Sequence, residues 1–322
     1  MSPGDFLHKD AETPLCEHYL AAGASCSLST NCEQLLEWAR RSFSRLETPP
    51  ACIDFSLRLW VDAGNTKQPP WPKPYVRGLD HLVFAGFDSG SSIVANLRNR
   101  RVMGCFSPAM AADGAYWRAV IFPILLTIVS ASVGIAELHC ACVTKNDEGF
   151  LLAGPSGSGK STLALALCEV SCGFLSDDRT FCSLSDREVL VWGLGTRLKL
   201  RREATVWFQA LRDQQKRNFP AEKGDLLLDP EDYPGLHRVR HCRLQSLIFL
   251  DRQDAEEFRL SRMCPAEALT RLNEDSMAEW PEAVAKRSEV LAQLVELSCW
   301  HLRYGGEPRT IAREILQHFA KA

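Results

Sequence analysis

No two cysteines in this sequence stand at the CxxC spacing of a zinc ribbon, although there are thirteen of them. They are odd in number and scattered. The nearest clusters are Cys140-Ala-Cys142 beside His139, and Cys168 with Cys172. That pattern argues for reduced, buried thiols in a cytoplasmic protein rather than a metal site. A strong charge of either sign is also missing. A net charge of −3 builds no global field that would recruit nucleic acid or an acidic membrane surface. The first residues, MSPGDFLHKDAETP, carry acids and a proline where a signal peptide needs a basic start and an apolar core. Internal repeats and low-complexity segments are absent. One apolar run, Ala119 to Ala136, is about long enough to cross a bilayer. Pro123 near its start, the Ser and Thr along it, and the strand-like ELHCACV that follows favour a buried core helix, with a membrane span as the alternative.

What is present is ample material for a core: 322 residues, 46% of them hydrophobic. Residues 1–50 read as a mobile start plus one helix, Cys32 to Leu46. Cys52–Val61 alternates as a half-buried strand does, and Asn65–Pro74 is a turn-rich linker. DHLVFAGF, SSIVANLRN and RRVMGCF then read as an antiparallel meander with a Gly-rich turn at Asp88–Gly90. From Phe150 the pattern becomes strand, loop, helix, strand, an α/β layer. After Pro265 the chain is expected to be mainly helical, over 266–276, 282–297 and 308–320. The expected division is a strand-rich region over 1–115, a candidate substrate-docking region, and a catalytic domain over 116–322.

The chemistry-bearing stretch is Gly154-Pro155-Ser156-Gly157-Ser158-Gly159-Lys160-Ser161-Thr162, which fits G-x-x-x-x-G-K-[ST]. The glycines let backbone N–H groups turn inward around phosphate oxygens. Lys160 brings a point charge to the β- and γ-phosphates, and the Ser161 hydroxyl can ligate Mg²⁺. The apolar strand Phe150–Ala153 precedes the loop and the apolar helix Thr162–Leu167 follows it, so the helix N-terminus faces the anion. A Gly/Ser turn carrying a surface lysine is the bland alternative.

That helix should end near Gly173, and Phe174-Leu175-Ser176 should be a short strand ending at Asp177-Asp178. Ligands in such sheets sit at the carboxyl ends of strands, which puts both aspartates beside the loop. An acid there can accept the proton of an attacking hydroxyl or help hold Mg²⁺; otherwise the pair merely caps a turn. The rival placement is Ser246–Asp251, an apolar strand ending in Asp as in an ATPase. Arg252 follows it rather than a water-polarising glutamate, so it reads as a core strand ending in a surface turn. Thr196–Arg201 alternates charge with leucine, which puts Arg197, Lys199 and Arg201 on one strand face. His237-Arg238-Val239-Arg240 does the same, with Arg243 close behind. Such cations bind phosphate or an acidic substrate, or simply solvate a sheet face.

From Leu138 to Asp251 the chain resembles the catalytic domain of HPr kinase/phosphorylase and its wider group of HPr-kinase-related proteins. The residues that carry the likeness are His139, the loop GPSGSGKST, and the aspartate pair 17 residues after Lys160. Trp192-Gly193-Leu194-Gly195 and the basic segment Val239–Arg243 add to it. The family signature has a glutamate three residues before its first glycine and an arginine one before. Leu190 and Trp192 stand there, with Glu188 out of register. The chain is more similar to divergent relatives, some of which phosphorylate serine in small peptides while others act on free serine.

The resemblance implies a phosphoenolpyruvate-carboxykinase-like α/β core with a mixed sheet, and a P-loop serine kinase using ATP and Mg²⁺. It gives Asp177 the role of general base and Asp178 that of a metal or phosphate-ordering ligand with Ser161. It gives His139 a place near the phosphates, and Arg240 and Arg243 the task of offsetting charge on the γ-phosphoryl group. The implied partner is a serine of a peptide or protein, or else a small hydroxyl metabolite. Ring-like assemblies in the family make a homo-oligomer an expectation; nucleic acid and membrane are not expected partners. A nucleotide-dependent switch or ATPase, with Asp251 in the leading role, stands as the alternative from another class.

Overall fold

The computed structural model describes residues 11–186, 188–194, 197–211, 225–273 and 280–320. The end of the family-like signature, Gly195, and the start of the basic run, Thr196, lie outside them. The chain divides into two compact units, Met1–Ile135 with Ala278–Arg287, and Ala136–Met277 with Ser288–Ala322. The expected boundary at 115 falls inside the first unit.

The first unit is built on an eight-stranded sheet. Its strands run Ser44–Arg45, Leu15–Ala21, Ala24–Thr30, Phe55–Val61, Arg101–Phe106, Ser92–Asn96, Leu82–Gly86 and Tyr75–Leu79 across the sheet. The last four form an antiparallel meander, one strand longer than expected. From residue 15 on, the expected mobile start is corrected; residues 1–10 of that expectation lie outside the described residues. Leu15–Ala21 and Ala24–Thr30 are an antiparallel hairpin that turns at Ala22 and Gly23, both at positive φ. Its inward residues include Ala21, Ala24 and Cys26, too small and weakly apolar to show the alternation. The helix covers Glu33–Ser42 and stops short of Leu46, because Ser44–Arg45 pairs back onto Leu20 and Tyr19.

Aromatic packing explains where the boundary falls. A chain of edge and tilted contacts runs from Tyr19 through Phe43, Phe122, Trp117 and Phe106 to Phe87. Rings in such contacts add roughly 0.5–1.5 kcal/mol each beyond area burial. Trp117 and Phe122 bring the apolar run into this core. It folds as a π turn over Trp117–Ile121, a helix over Phe122–Ser130 and a 3-10 turn over Ala131–Val133. No helix among the described residues is long and apolar enough to cross a membrane.

The second unit carries a mixed sheet. Its order is Gly173–Ser176, Ala141–Lys145, Glu148–Ala153, His241–Arg252, Glu188–Trp192, Thr180–Ser185 and Ile135–Leu138. Ser298–Gly305, a strand inside the expected helical region, runs parallel to the C-terminal half of His241–Arg252. Glu257–Arg262 pairs with it on the outside. Glu148–Ala153 and His241–Arg252 are parallel, with Ala153 opposite Phe249. Gly173–Ser176 and Glu148–Ala153 are both antiparallel to the strand between them, so all point the same way.

The two faces of this sheet bury different sets. Leu152, Phe174, Ile248, Leu250, Leu302 and Tyr304 pack under the helix Lys160–Val170, together with Ile311 and Ile315 of the helix Pro308–Ala320. Leu151, Ala153, Leu175, Val191, Leu247 and Phe249 face the opposite core, where Leu291 and Leu294 lie. Among the thirteen free cysteines, Cys140, Cys142, Cys182 and Cys242 belong to this second core. Burial pushes the Cys142 and Cys182 thiols well above the usual range, which makes them unreactive.

Gly149 sits between two of those thiols. A Cβ there would meet the Cys242 sulfur at 2.6 Å and the Arg243 carbonyl at 3.1 Å. Gly149→Ala is therefore expected to lower stability by about 1–3 kcal/mol, read as an earlier urea midpoint with an unchanged slope.

Candidate active site

The strand Glu148–Ala153 ends in the loop Gly154–Gly159, and the helix Lys160–Val170 follows at once. Three glycines of the loop have positive φ: Gly154 at 150°, Gly157 at 90° and Gly159 at 92°. Two of them are also closely packed. A Cβ on Gly154 would meet the Ser158 hydroxyl at 2.7 Å and the Leu250 carbonyl at 3.0 Å. On Gly159 it would collide with the Tyr304 hydroxyl, which donates to the Ser158 carbonyl at 2.6 Å. The buried Lys160 ammonium donates to the Gly154 carbonyl at 2.7 Å. The Ser158 hydroxyl oxygen is buried and has no hydrogen-bond partner.

Asp177 is tied to the helix by a direct bond. Its Oδ1 accepts from the Ser161 hydroxyl at 2.8 Å, and its Oδ2 accepts from the Lys199 backbone N–H at 2.9 Å. It is 2% exposed. Burial above all, then the neighbouring charge of Asp178, pushes its carboxyl up to about 7, although the Lys199 and Ser161 bonds and the Lys160 charge pull the other way. The turn that follows is locked at its base. The Ser176 and Thr180 hydroxyls lie 2.6 Å apart, and Thr180 donates to the Cys140 carbonyl at 2.8 Å. Asp178 takes a left-handed conformation at φ 63°, which turns its side chain to His139, with Nε2 and Oδ1 3.7 Å apart. This side chain is 43% exposed.

The structure thus brings together Gly154, Gly157, Ser158, Gly159, Lys160, Ser161, Asp177, Asp178 and His139. Ser156 lies exposed in the same loop, and Thr162 in the first turn of the helix. Ser161 and Asp178, expected as a metal pair, are not in direct contact; Ser161 turns to Asp177 instead. Arg243 is a correction. It lies opposite Glu148, at the start of its strand, and pairs with Glu188 at 3.0 Å. Roughly 20 Å of strand separate it from the loop end, at about 3.3 Å per residue. The Arg240 carbonyl accepts from the Gly193 N–H, and a Cβ on Gly193 would collide with the Leu175 carbonyl. Trp192 stacks on His241 at 4.8 Å.

The strand alternation separates Asp251 from the loop. Ile248, Leu250 and Tyr304 share the face of the loop helix, so Asp251 points to the other face. There it accepts from Gln253 at 2.8 Å and lies near Arg303 and His301, at 3.6 and 3.7 Å. Asp251 and Arg252 still belong to the strand, opposite Arg303 and Tyr304, and Arg252 takes the loop side. Of the basic run, Lys199 pairs with Asp225 and Arg197 with Asp229, whereas Arg201 reaches the loop at Gly157. Tyr304 and Arg252 carried no signal as site residues. The alternation of Arg201 was visible, but not which of the three cations would be left over.

These residues define a mixed α/β protein with a glycine-rich loop at a helix N-terminus and a carboxylate pair beside it. No family model matches the chain, and no curated protein does. Among solved structures it is similar to the HPr(Ser) kinase/phosphatase from Coxiella burnetii. The TM-score is 0.33 and the identity 11%, over 57% of this chain and 97% of that one. A likeness that distant transfers no residue role.

The raised carboxyl of Asp177 has a stability consequence. The folded chain holds this proton up to about pH 7, while the unfolded chain loses it near the ordinary 3.8. Between those values the folded state binds more protons, so stability falls as pH rises through that window. In EDTA, thermal scans from pH 5 to 8 should show the wild-type midpoint dropping more than that of Asp177→Asn. Parallel curves would show that Asp177 titrates normally.

Proposed function

We propose that this protein is a kinase that transfers the γ-phosphoryl group of ATP, with Mg²⁺, to a hydroxyl, a serine of a peptide or protein. The observation that carries this reading is the 2.8 Å bond from Ser161, next to Lys160, to Asp177. It puts a carboxylate of raised basicity against a loop shaped for phosphate. The residues fit a nucleotide. The glycine cradle leaves no room for side chains, Ser158 has a buried hydroxyl without an acceptor, and the helix N-terminus has free N–H groups. They also fit Mg²⁺, for which hydroxyl and carboxylate oxygens are the suitable donors. When bound, Mg²⁺ neutralises phosphate oxygens, and Ser161 and Asp178 are the residues that would hold it.

In this reading Asp177 takes the proton of the acceptor hydroxyl. Two hydrogen bonds fix its orientation, and a carboxyl near 7 is poised for proton transfer at neutral pH. His139 holds Asp178 in position. Lys160, now on the Gly154 carbonyl, turns to phosphate oxygens. Arg243 has no part. The ATPase alternative needs Asp251, which faces the other side of the sheet.

One observation favours a second division of labour. Asp177 is nearly closed to solvent while Asp178 is not. With the roles exchanged, Ser161 and Asp177 hold the metal and Asp178 receives the proton.

Label transfer from γ-labelled ATP into a peptide-containing cell extract tests the reading. Wild type should label a peptide-sized fraction, and Asp177→Asn should do so at least about 100-fold more slowly. Mn²⁺ binding separates the divisions of labour. Asp177→Asn that transfers poorly yet binds Mn²⁺ normally supports the first, and loss of Mn²⁺ binding supports the second. Label in a small metabolite would point to a small-molecule acceptor. Release of free phosphate alone, equal in both proteins, would rule out transfer.

A further inference from the structure

Resting on the phosphate-loop reading, we propose that Arg201 and Arg252 form a two-armed clamp that reads the β- and γ-phosphates of a nucleoside triphosphate. The two side chains reach the loop from different elements. The Arg201 Nη2 lies 3.1 Å, and its Cζ 3.6 Å, from where a Cβ on Gly157 would stand. The Arg252 Cδ lies 3.9 Å from the same position on Gly159. The two glycines flank Ser158, whose buried hydroxyl has no partner. Arg201 leaves the short strand Leu198–Leu200, which the Lys199–Asp177 bond holds against the site. Arg252 closes the strand His241–Arg252 on the face shared with Ile248, Leu250 and Tyr304.

Electrostatics makes this arrangement hard to explain without a ligand. A helix N-terminus carries partial positive charge and favours anions; cations belong at the other end. Here the Arg201 guanidinium, the Arg252 side chain and Lys160 converge on the N-terminus of Lys160–Val170. Among the described residues neither Arg201 nor Arg252 makes an ion pair, whereas Arg197 and Lys199 beside them do. Like charges gathered at a positive dipole end repel, and a multiply charged anion relieves that repulsion. A glycine-lined loop then excludes carboxylate side chains as that anion. Guanidinium groups suit phosphate oxygens because their planar donor fork matches them in pairs. The clamp also supplies the charge that Arg243, at the far end of its strand, cannot.

Both arginines are exposed, so their removal leaves the core intact. Calorimetric titration of the full chain with ATP, ADP and AMP, in Mg²⁺, tests the clamp. The proteins compared are wild type, Arg201→Ala, Arg252→Ala, Arg252→Lys and Lys160→Ala. Each Arg→Ala variant should weaken ATP at least about 10-fold and leave AMP unchanged, with Arg252→Lys in between. If wild type binds ATP, Lys160→Ala does not, and both Arg→Ala variants match wild type, the clamp is wrong while the phosphate loop stands. Equal weakening of ATP and AMP would also overturn it, because the arginines would then not read the outer phosphates. No nucleotide binding by wild type would remove the loop reading and the clamp with it.

Discussion

Everything at the candidate site depends on the carboxylate of Asp177 bonding two separate segments at once. Ser161 belongs to the helix after the loop, and Lys199 to the short strand Leu198–Leu200 of a separate two-stranded sheet. One buried acid therefore sets the distance between loop, aspartate turn and basic run. Such a group is costly to bury, and its raised proton affinity is the measure of that cost. The two hydrogen bonds offset only part of it. A stably folded chain that retains a buried acid of this kind is sacrificing stability at a place where chemistry would gain from it.

The sheet does the remaining positioning. Three strands that point the same way deliver the loop, the aspartate pair and the Asp251-Arg252 end to one edge. Alternation along His241–Arg252 then sorts the last two residues. Asp251 goes to the face with Arg303 and His301, and Arg252 to the face of the loop helix. A one-residue slip would exchange them and put a carboxylate where the loop now meets a cation. The register is held by the buried alternating sets on both faces, Leu247 and Phe249 against Ile248 and Leu250.

Much of this was legible in the chain. The loop and its helix are local, because glycine, lysine and an apolar run dictate strand, turn and helix without distant help. The aspartate pair was legible for the same reason: a helix and a four-residue strand bring it back by short connections. The hairpin over 15–30 was not, since alanine and cysteine on its inner face hide the alternation. The strand Ser298–Gly305 was passed over between two helices, although Trp300, Leu302 and Tyr304 alternate with the less buried His301 and Arg303 along it. The aromatic chain that draws Trp117 and Phe122 into the first unit joins residues up to about a hundred positions apart, which no local pattern records.

By itself, then, the sequence determined that a phosphate-type loop would form at a helix N-terminus with two aspartates close by. Those outcomes rest on backbone freedom and short-range connections. Tertiary structure alone decided which charges meet the loop. It paired Arg197 and Lys199 with acids, left Arg201 over Gly157, and placed Arg243 at the wrong end of its strand. It also buried Asp177 while leaving Asp178 open to solvent. The reason is physical: a side chain's charge is written in the sequence, but its partner, its solvent and its distance to a ligand are set by strand register and sheet face.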